Sequence, residues 1–103
     1  MRAPGKRVIR YLPAAEDDLT ALYDWIAQDH PSRALSFVEK IDQCIGRLAI
    51  HPHLGRPPRH PKLAEFGYRV LTIESYLVFY IIRGKTIEIH RVIHGSRRLD
   101  EIV

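Results

Sequence analysis

The spacing of apolar residues along the chain changes period twice, and the changes divide it into a strand, a helical stretch and a second run of strands. Arg7-Val8-Ile9-Arg10-Tyr11-Leu12 is rich in β-branched and aromatic residues and is stopped by Pro13, so it predicts a first strand. Pro13 suits the first turn of a helix, where its missing N–H would be unpaired in any case, and Glu16, Asp17 and Asp18 lie where the helix dipole favours negative charge. Leu19, Leu22, Tyr23, Ile26 and Ala27 then recur at the spacing of one helical face, and the pattern ends before Asp29-His30-Pro31. A second helix is predicted from Pro31-Ser32 to the neighbourhood of Ile50-His51-Pro52, with Ala34, Phe37, Val38, Ile41, Ile45 and Leu48 on its buried stripe and Cys44 beside it. The connection is short, so the two helices should form an antiparallel hairpin.

His51 to Lys62 holds four of the seven prolines together with Gly55, Arg56, Arg59 and His60, a composition that predicts a basic, exposed, rigid loop without regular structure. After Gly67 the period becomes that of strands: Tyr68 to Ile73, Tyr76 to Ile82 and Thr86 to His94, joined by turns at Glu74-Ser75 and Arg83-Gly84-Lys85. The run Leu77 to Ile82 is apolar at both parities and should be a central strand. In the last strand Ile87, Ile89, Arg91 and Ile93 share one parity, and Glu88, His90, Val92 and His94 the other.

The expected architecture is α+β: an N-terminal strand, a two-helix hairpin and a three-stranded meander. If each helix reverses the chain, the last strand pairs antiparallel with the first, in an all-antiparallel four-stranded sheet of order 1-4-3-2 with helices on one face and the other face open. Arg91 would then lie on the helix-facing parity, where an unpaired charge is costly, and Asp18 and Asp24 are its candidate partners. Tyr80 is expected to be a core aromatic whose hydroxyl needs one partner.

Composition adds bounds to this picture. A chain of 103 residues, 46% apolar and 27% charged, reads as one globular domain over residues 1–103. The single Cys44 and the lack of an apolar run after the basic opening point to the cytoplasm, and nothing approaches the ~20 apolar residues of a membrane span. The net charge of +4 is segregated: residues 11–50 carry three bases and seven acids, residues 51–98 nine bases and three acids. A basic second half suggests an anionic partner, nucleic acid or acidic protein, against the plainer alternative of a solvated surface.

Candidate chemistry is sparse. Glu88, His90 and His94 share a parity, but side chains two residues apart on a strand stand roughly 7 Å from each other and no further ligand completes a metal set. His51-Pro52-His53 is held apart by its proline. No phosphate loop, Ser-His-Asp order or Cys-His pair is present, and no cofactor is implied. The candidate working surface is Arg56, Arg59, Arg69, His94, Arg97 and Arg98, because arginine grips phosphate and carboxylate in a bidentate manner.

Several local sequences, taken in order, resemble the ParE/RelE superfamily of bacterial type II toxins and its plasmid stabilisation systems. They are Pro13-Ala14-Ala15-x-x-Asp18-Leu19, Pro52-x-x-Gly55-Arg56, Gly67-Tyr68-Arg69, Leu77-Val78-Phe79-Tyr80, and Arg91-Val92-Ile93-His94 followed by Arg97-Arg98. The resemblance covers nearly the whole chain and is closer to the ParE branch. It implies a cognate antitoxin, bound as a hetero-oligomer through a disordered segment that folds on contact, and no small-molecule cofactor. RelE-like toxins are ribosome-dependent messenger-RNA endonucleases, whereas ParE-like toxins are taken to poison DNA gyrase without a catalytic site. Cleaving RNA needs groups that clamp the phosphate, activate the 2′-hydroxyl and protonate the leaving oxygen. Leu77 stands where the RelE branch has a middle-strand arginine; Arg69 and Arg98 match two basic positions, and the final residues contain neither tyrosine nor histidine. The resemblance therefore implies a non-enzymatic gyrase inhibitor. The alternatives are an endoribonuclease built around Arg69, Arg91, His94 and Arg98, and a non-toxic relic that only binds antitoxin.

Overall fold

The computed structural model describes residues 6–96. Strand β1 (Val8–Tyr11) leads directly into helix α1 (Pro13–Ala27), and helix α2 (Pro31–Gly46) follows after a short turn. One 3-10 turn (Arg47–Ala49) and a proline-rich connection containing a short helix α3 (Pro61–Glu65) precede β2 (Arg69–Ile73), β3 (Tyr76–Arg83) and β4 (Thr86–His94). Both long helices start on a proline and neither has a side-chain cap. The sheet order is β1-β4-β3-β2, as the sequence predicts.

Two expectations about direction and parity are corrected. β1 pairs parallel, not antiparallel, with β4, Val8 opposite Thr86 and Tyr11 opposite Ile89, so the sheet is mixed. The helices do not reverse the chain as assumed. β1 is four residues long and β4 nine, so α1 runs on over the half of β4 that β1 leaves uncovered. The Leu12 N–H meets the Ile89 carbonyl at the start of that path, and Asp18 meets the Val92 N–H further along it. α2 brings the chain back, and the Arg7 N–H bonds the Ala49 carbonyl beside the start of β1. β2 consequently begins at the same end as β1.

The second correction comes from a β-bulge. Tyr80 faces Ile89 but its neighbour Phe79 faces Arg91, so β4 carries one extra residue, His90, at that point. A bulge shifts every later side chain to the opposite face. Val92 therefore joins Ile87 and Ile89 in the main core, while Arg91 and Ile93 move to the other face.

The main core lies between the hairpin and the sheet and includes Ala15, Leu22, Ile41, Ile45 and Leu48 against Val78, Tyr80, Ile87 and Ile89. Of the predicted stripe of the second helix, Ala34, Ile41 and Ile45 are buried, Phe37 and Val38 are half-buried, and Leu48 is buried in the 3-10 turn that follows; Tyr23 of α1 is exposed. The far face of the sheet, expected to be open, carries a second cluster of Leu63, Val70, Phe79 and Ile93 flanked by Tyr68 and Leu77. Leu63 belongs to α3, so the connection expected to be irregular supplies a helical turn that closes part of this face.

Candidate functional site

The proline-rich connection is a built structure. Tyr80, fully buried on β3, donates its hydroxyl hydrogen to the Pro52 carbonyl at 2.7 Å and accepts the Gly55 N–H at 3.0 Å. Its oxygen thus has two partners where the sequence required one. Arg69 at the start of β2 donates to the carbonyl oxygens of Gly55 and His53. Arg56 then exchanges both backbone hydrogen bonds with Val70, adding a one-residue bridge to the edge of β2. A basic segment that would otherwise sample many paths is pinned in one.

The six candidate surface residues fall into different roles. Arg56 and Arg59 are exposed on the outer side of this connection, and with Pro57 and Pro58 they line a shallow hollow floored by Val70, Leu77 and Phe79. Arg69 faces inward and holds the loop. His94 is exposed, packs edge-on to the Tyr76 ring at 5.2 Å, and accepts the Ser96 N–H through Nδ1. Arg97 and Arg98 lie outside the described residues.

Arg91 has the partner the sequence suggested, by a different route. Its Nε and Nη2 donate to the two oxygens of Asp18 at 2.8 and 2.9 Å, and one of those oxygens also takes the Val92 N–H at 2.9 Å. The bulge turns that N–H toward the edge of β4 that β1 does not cover. Asp18 therefore satisfies a guanidinium and a sheet edge together, and its hydrogen bonds, opposed by burial and helped by its charge, raise the already high pKa of Arg91.

The bulge also dismantles the arrangement considered for a metal. His94 pairs across the sheet with Tyr76 on the helix side, while His90 stands on the far face between Tyr68 Oη (3.0 Å from Nδ1) and Glu88 (3.2 Å from Nε2). Glu88 also receives Arg83 at 2.7 Å. The Arg83 hydrogen bond, helped by His90 and opposed by burial, holds the Glu88 carboxyl below its usual range. At the other edge of the sheet, burial first and the hydrogen bond to Asp42 second push the Tyr11 hydroxyl well above the usual tyrosine range.

Two features escaped the sequence reading. A groove of about 510 Å³ runs between α2 and the edge of β2, with Arg47, Arg56 and a Lys40–Glu74 ion pair (3.2 Å) on its rim and Leu54, Leu71 and Ile73 among its apolar lining. Val70 turns its N–H and carbonyl away from β3 to Arg56; two residues on, Thr72 turns its backbone groups the same way and meets no backbone partner there among the described residues. The second feature is Trp25, 71% exposed at the tip of the hairpin. A signal for Trp25 existed, since it lies off the stripe of Leu19, Leu22 and Ile26; the groove had none, because it joins elements distant in sequence.

The chain from residue 9 to residue 99 matches the family model described as the ParE toxin of the type II toxin–antitoxin system parDE. Among solved structures it is similar to a chain of the chromosomal ParDE toxin–antitoxin system from P. aeruginosa, at 27% identity and a TM-score of 0.75, over 88% of this chain and 98% of that one. It is also similar to a chain of the RelBE2 toxin–antitoxin complex from Mycobacterium tuberculosis, at 26% identity and a TM-score of 0.63, over 90% and 95%. No curated protein matches the sequence.

Proposed function

Because the chain belongs to the ParE toxin family of type II toxin–antitoxin systems, we propose that it acts in the cytoplasm as a non-catalytic poison of DNA gyrase and is neutralised by a cognate antitoxin. The observation that carries the non-catalytic reading is where the basic residues go. Arg69 is spent on the carbonyls of Gly55 and His53 at the β2 end of the sheet, and Arg91 on Asp18 at the β4 edge. A general acid, a base and a phosphate clamp must converge within hydrogen-bond reach of one scissile bond. Arg69, Arg91 and His94 do not converge, and Leu77 occupies the middle-strand position where the RelE branch places an arginine.

The antitoxin half of the reading rests on the groove between α2 and β2. Arg47 and Arg56 on its rim suit an acidic segment, its apolar lining suits an amphipathic one, and the outward backbone of Thr72 lets an extended peptide add a strand. Such a segment orders only on contact, as a disordered tail does. A second reading, a ribosome-dependent endoribonuclease, is favoured by the likeness to the RelBE2 complex.

Purified gyrase separates the two. Supercoiling and DNA-cleavage assays with the toxin alone should show lost supercoiling or trapped cleavage complexes, and added antitoxin should reverse either. Unaffected gyrase at excess folded toxin, with messenger-RNA cleavage on translating ribosomes, would establish the endoribonuclease instead.

A further inference from the structure

The connection between the helices and β2 is a cationic ridge of unusual purity. No acid occurs from Gln43 to Ala64, a stretch that contains Arg47, Arg56, Arg59, Lys62 and three histidines. Arg56, Arg59 and Lys62 are all exposed, and none forms an ion pair among the described residues. They follow one another at intervals of three. Pro57 and Pro58 fix their own φ and hold the preceding residues extended, and backbone of this kind returns to the same side every third residue, about 9 Å further on, which relates Arg56 to Arg59; Lys62 follows in the first turn of α3. Arg56 and Arg59 accordingly line one and the same hollow.

The ridge is rigid before any ligand arrives. It is fastened by the Tyr80 hydroxyl at Pro52 and Gly55, by Arg69 at Gly55, by the Arg56–Val70 bridge, and by Leu63, which is buried at 3% exposure. Its exposed residues from Arg56 to Lys62 are arginine, lysine and proline, without a large apolar side chain of the sort that anchors a protein partner. On the hollow's apolar floor Leu77 is half-buried, but Val70 is 6% exposed and the one aromatic, Phe79, only 2%, so it offers no stacking platform either. Spaced, unpaired, preorganised guanidinium groups over a closed floor suit a repeating anion gripped by charge.

We propose that Arg56, Arg59 and Lys62 bind the phosphate backbone of nucleic acid directly, without reading sequence. This goes beyond inhibition of gyrase and is testable in its absence. The probes are fluorescein-labelled 20-base-pair duplexes of two unrelated DNA sequences and one duplex RNA, titrated by anisotropy with the intact toxin. Three phosphate contacts on DNA predict a slope of log affinity on log salt near −2.7, or about a 40-fold loss of affinity between 50 and 200 mM KCl. The variant Arg56→Gln/Arg59→Gln should bind both DNA sequences at least about tenfold more weakly at 50 mM, and its loss over the same salt range should shrink to about 3–4-fold. Arg33→Gln, which removes an exposed cation on α2, should change neither. Preference for DNA or for RNA identifies which polymer supplies the phosphates, and loss of either on the double variant supports the ridge. Arg56 is held through its backbone, so the double variant should keep the parental melting temperature, which shows that the fold is intact. The phosphate role is overturned if wild type and double variant bind the duplexes alike, or if neither binds at 50 mM. It is overturned equally if the double variant weakens only the antitoxin complex, which would make the ridge a protein contact.

Discussion

Gly55 lies so close to Tyr80 that a Cβ built on it would stand 2.7 Å from the Tyr80 hydroxyl oxygen and 2.7 Å from the Val70 carbonyl oxygen. Real Cβ contacts essentially never come so near. The hydroxyl that excludes a side chain there also bonds the Gly55 N–H, so one oxygen sets both the path of the loop and the residue that can occupy it.

Tyr80→Phe keeps the ring and removes the hydroxyl, leaving the buried Gly55 N–H and the Pro52 carbonyl without it. A loss of about 2–3 kcal/mol is expected in urea unfolding, with little change in m-value. A change under half a kcal/mol would show that water replaces the hydroxyl.

Gly55→Ala should cost more than about 2 kcal/mol by overpacking. In the double variant with Tyr80→Phe the effects should be less than additive, because the hydroxyl, one of three close contacts, is gone while the Val70 carbonyl and the ring Cε1 remain. Full additivity in a double-mutant cycle would refute the contact.

Asp18→Ala should be worse than Arg91→Met. Removing the carboxylate strands both a part-buried guanidinium and the Val92 N–H, at a cost of about 3–5 kcal/mol, whereas Arg91→Met leaves Asp18 its backbone donor. Thermal melts of the two variants at neutral pH provide the order, and the reverse order would count against the edge-covering role of Asp18.

Glu88 makes stability depend on pH. Its pKa is lower in the folded protein than in the unfolded chain, so its contribution is fully present above the ordinary glutamate range and is lost as pH falls through the folded value. Glu88→Gln should therefore melt below wild type at pH 7, and the gap should close as pH is lowered below about 4. A gap that stays constant down to pH 3 would mean that the Arg83 contact contributes nothing to folding.

The four strands, the two long helices and their sequence order could be read from the chain because apolar periodicity and proline punctuation are local properties; the 1-4-3-2 order came from connection rules, with the direction of β1 against β4 wrong, and α3 was not read. The stripe of α2 and the doubly covered β3 are consequences of side-chain spacing alone. The basic candidates were legible as residue types, but not as roles: Arg69 and Arg59 are both exposed arginines on paper, and only the position of the Gly55 carbonyl turns one of them inward as a fastener.

What the sequence by itself determined, then, is which segments become the strands and the two long helices, which family the chain resembles and where positive charge accumulates. Tertiary structure decided the parallel pairing of β1 with β4, since that depends on α1 running onward over a longer strand rather than on any local preference. It also decided the parity of Arg91, Val92 and Ile93, because the bulge at His90 is set by register against β3. Pairing direction and register are long-range quantities, satisfied by backbone groups that every residue carries alike, and so they leave little mark on the pattern of side chains.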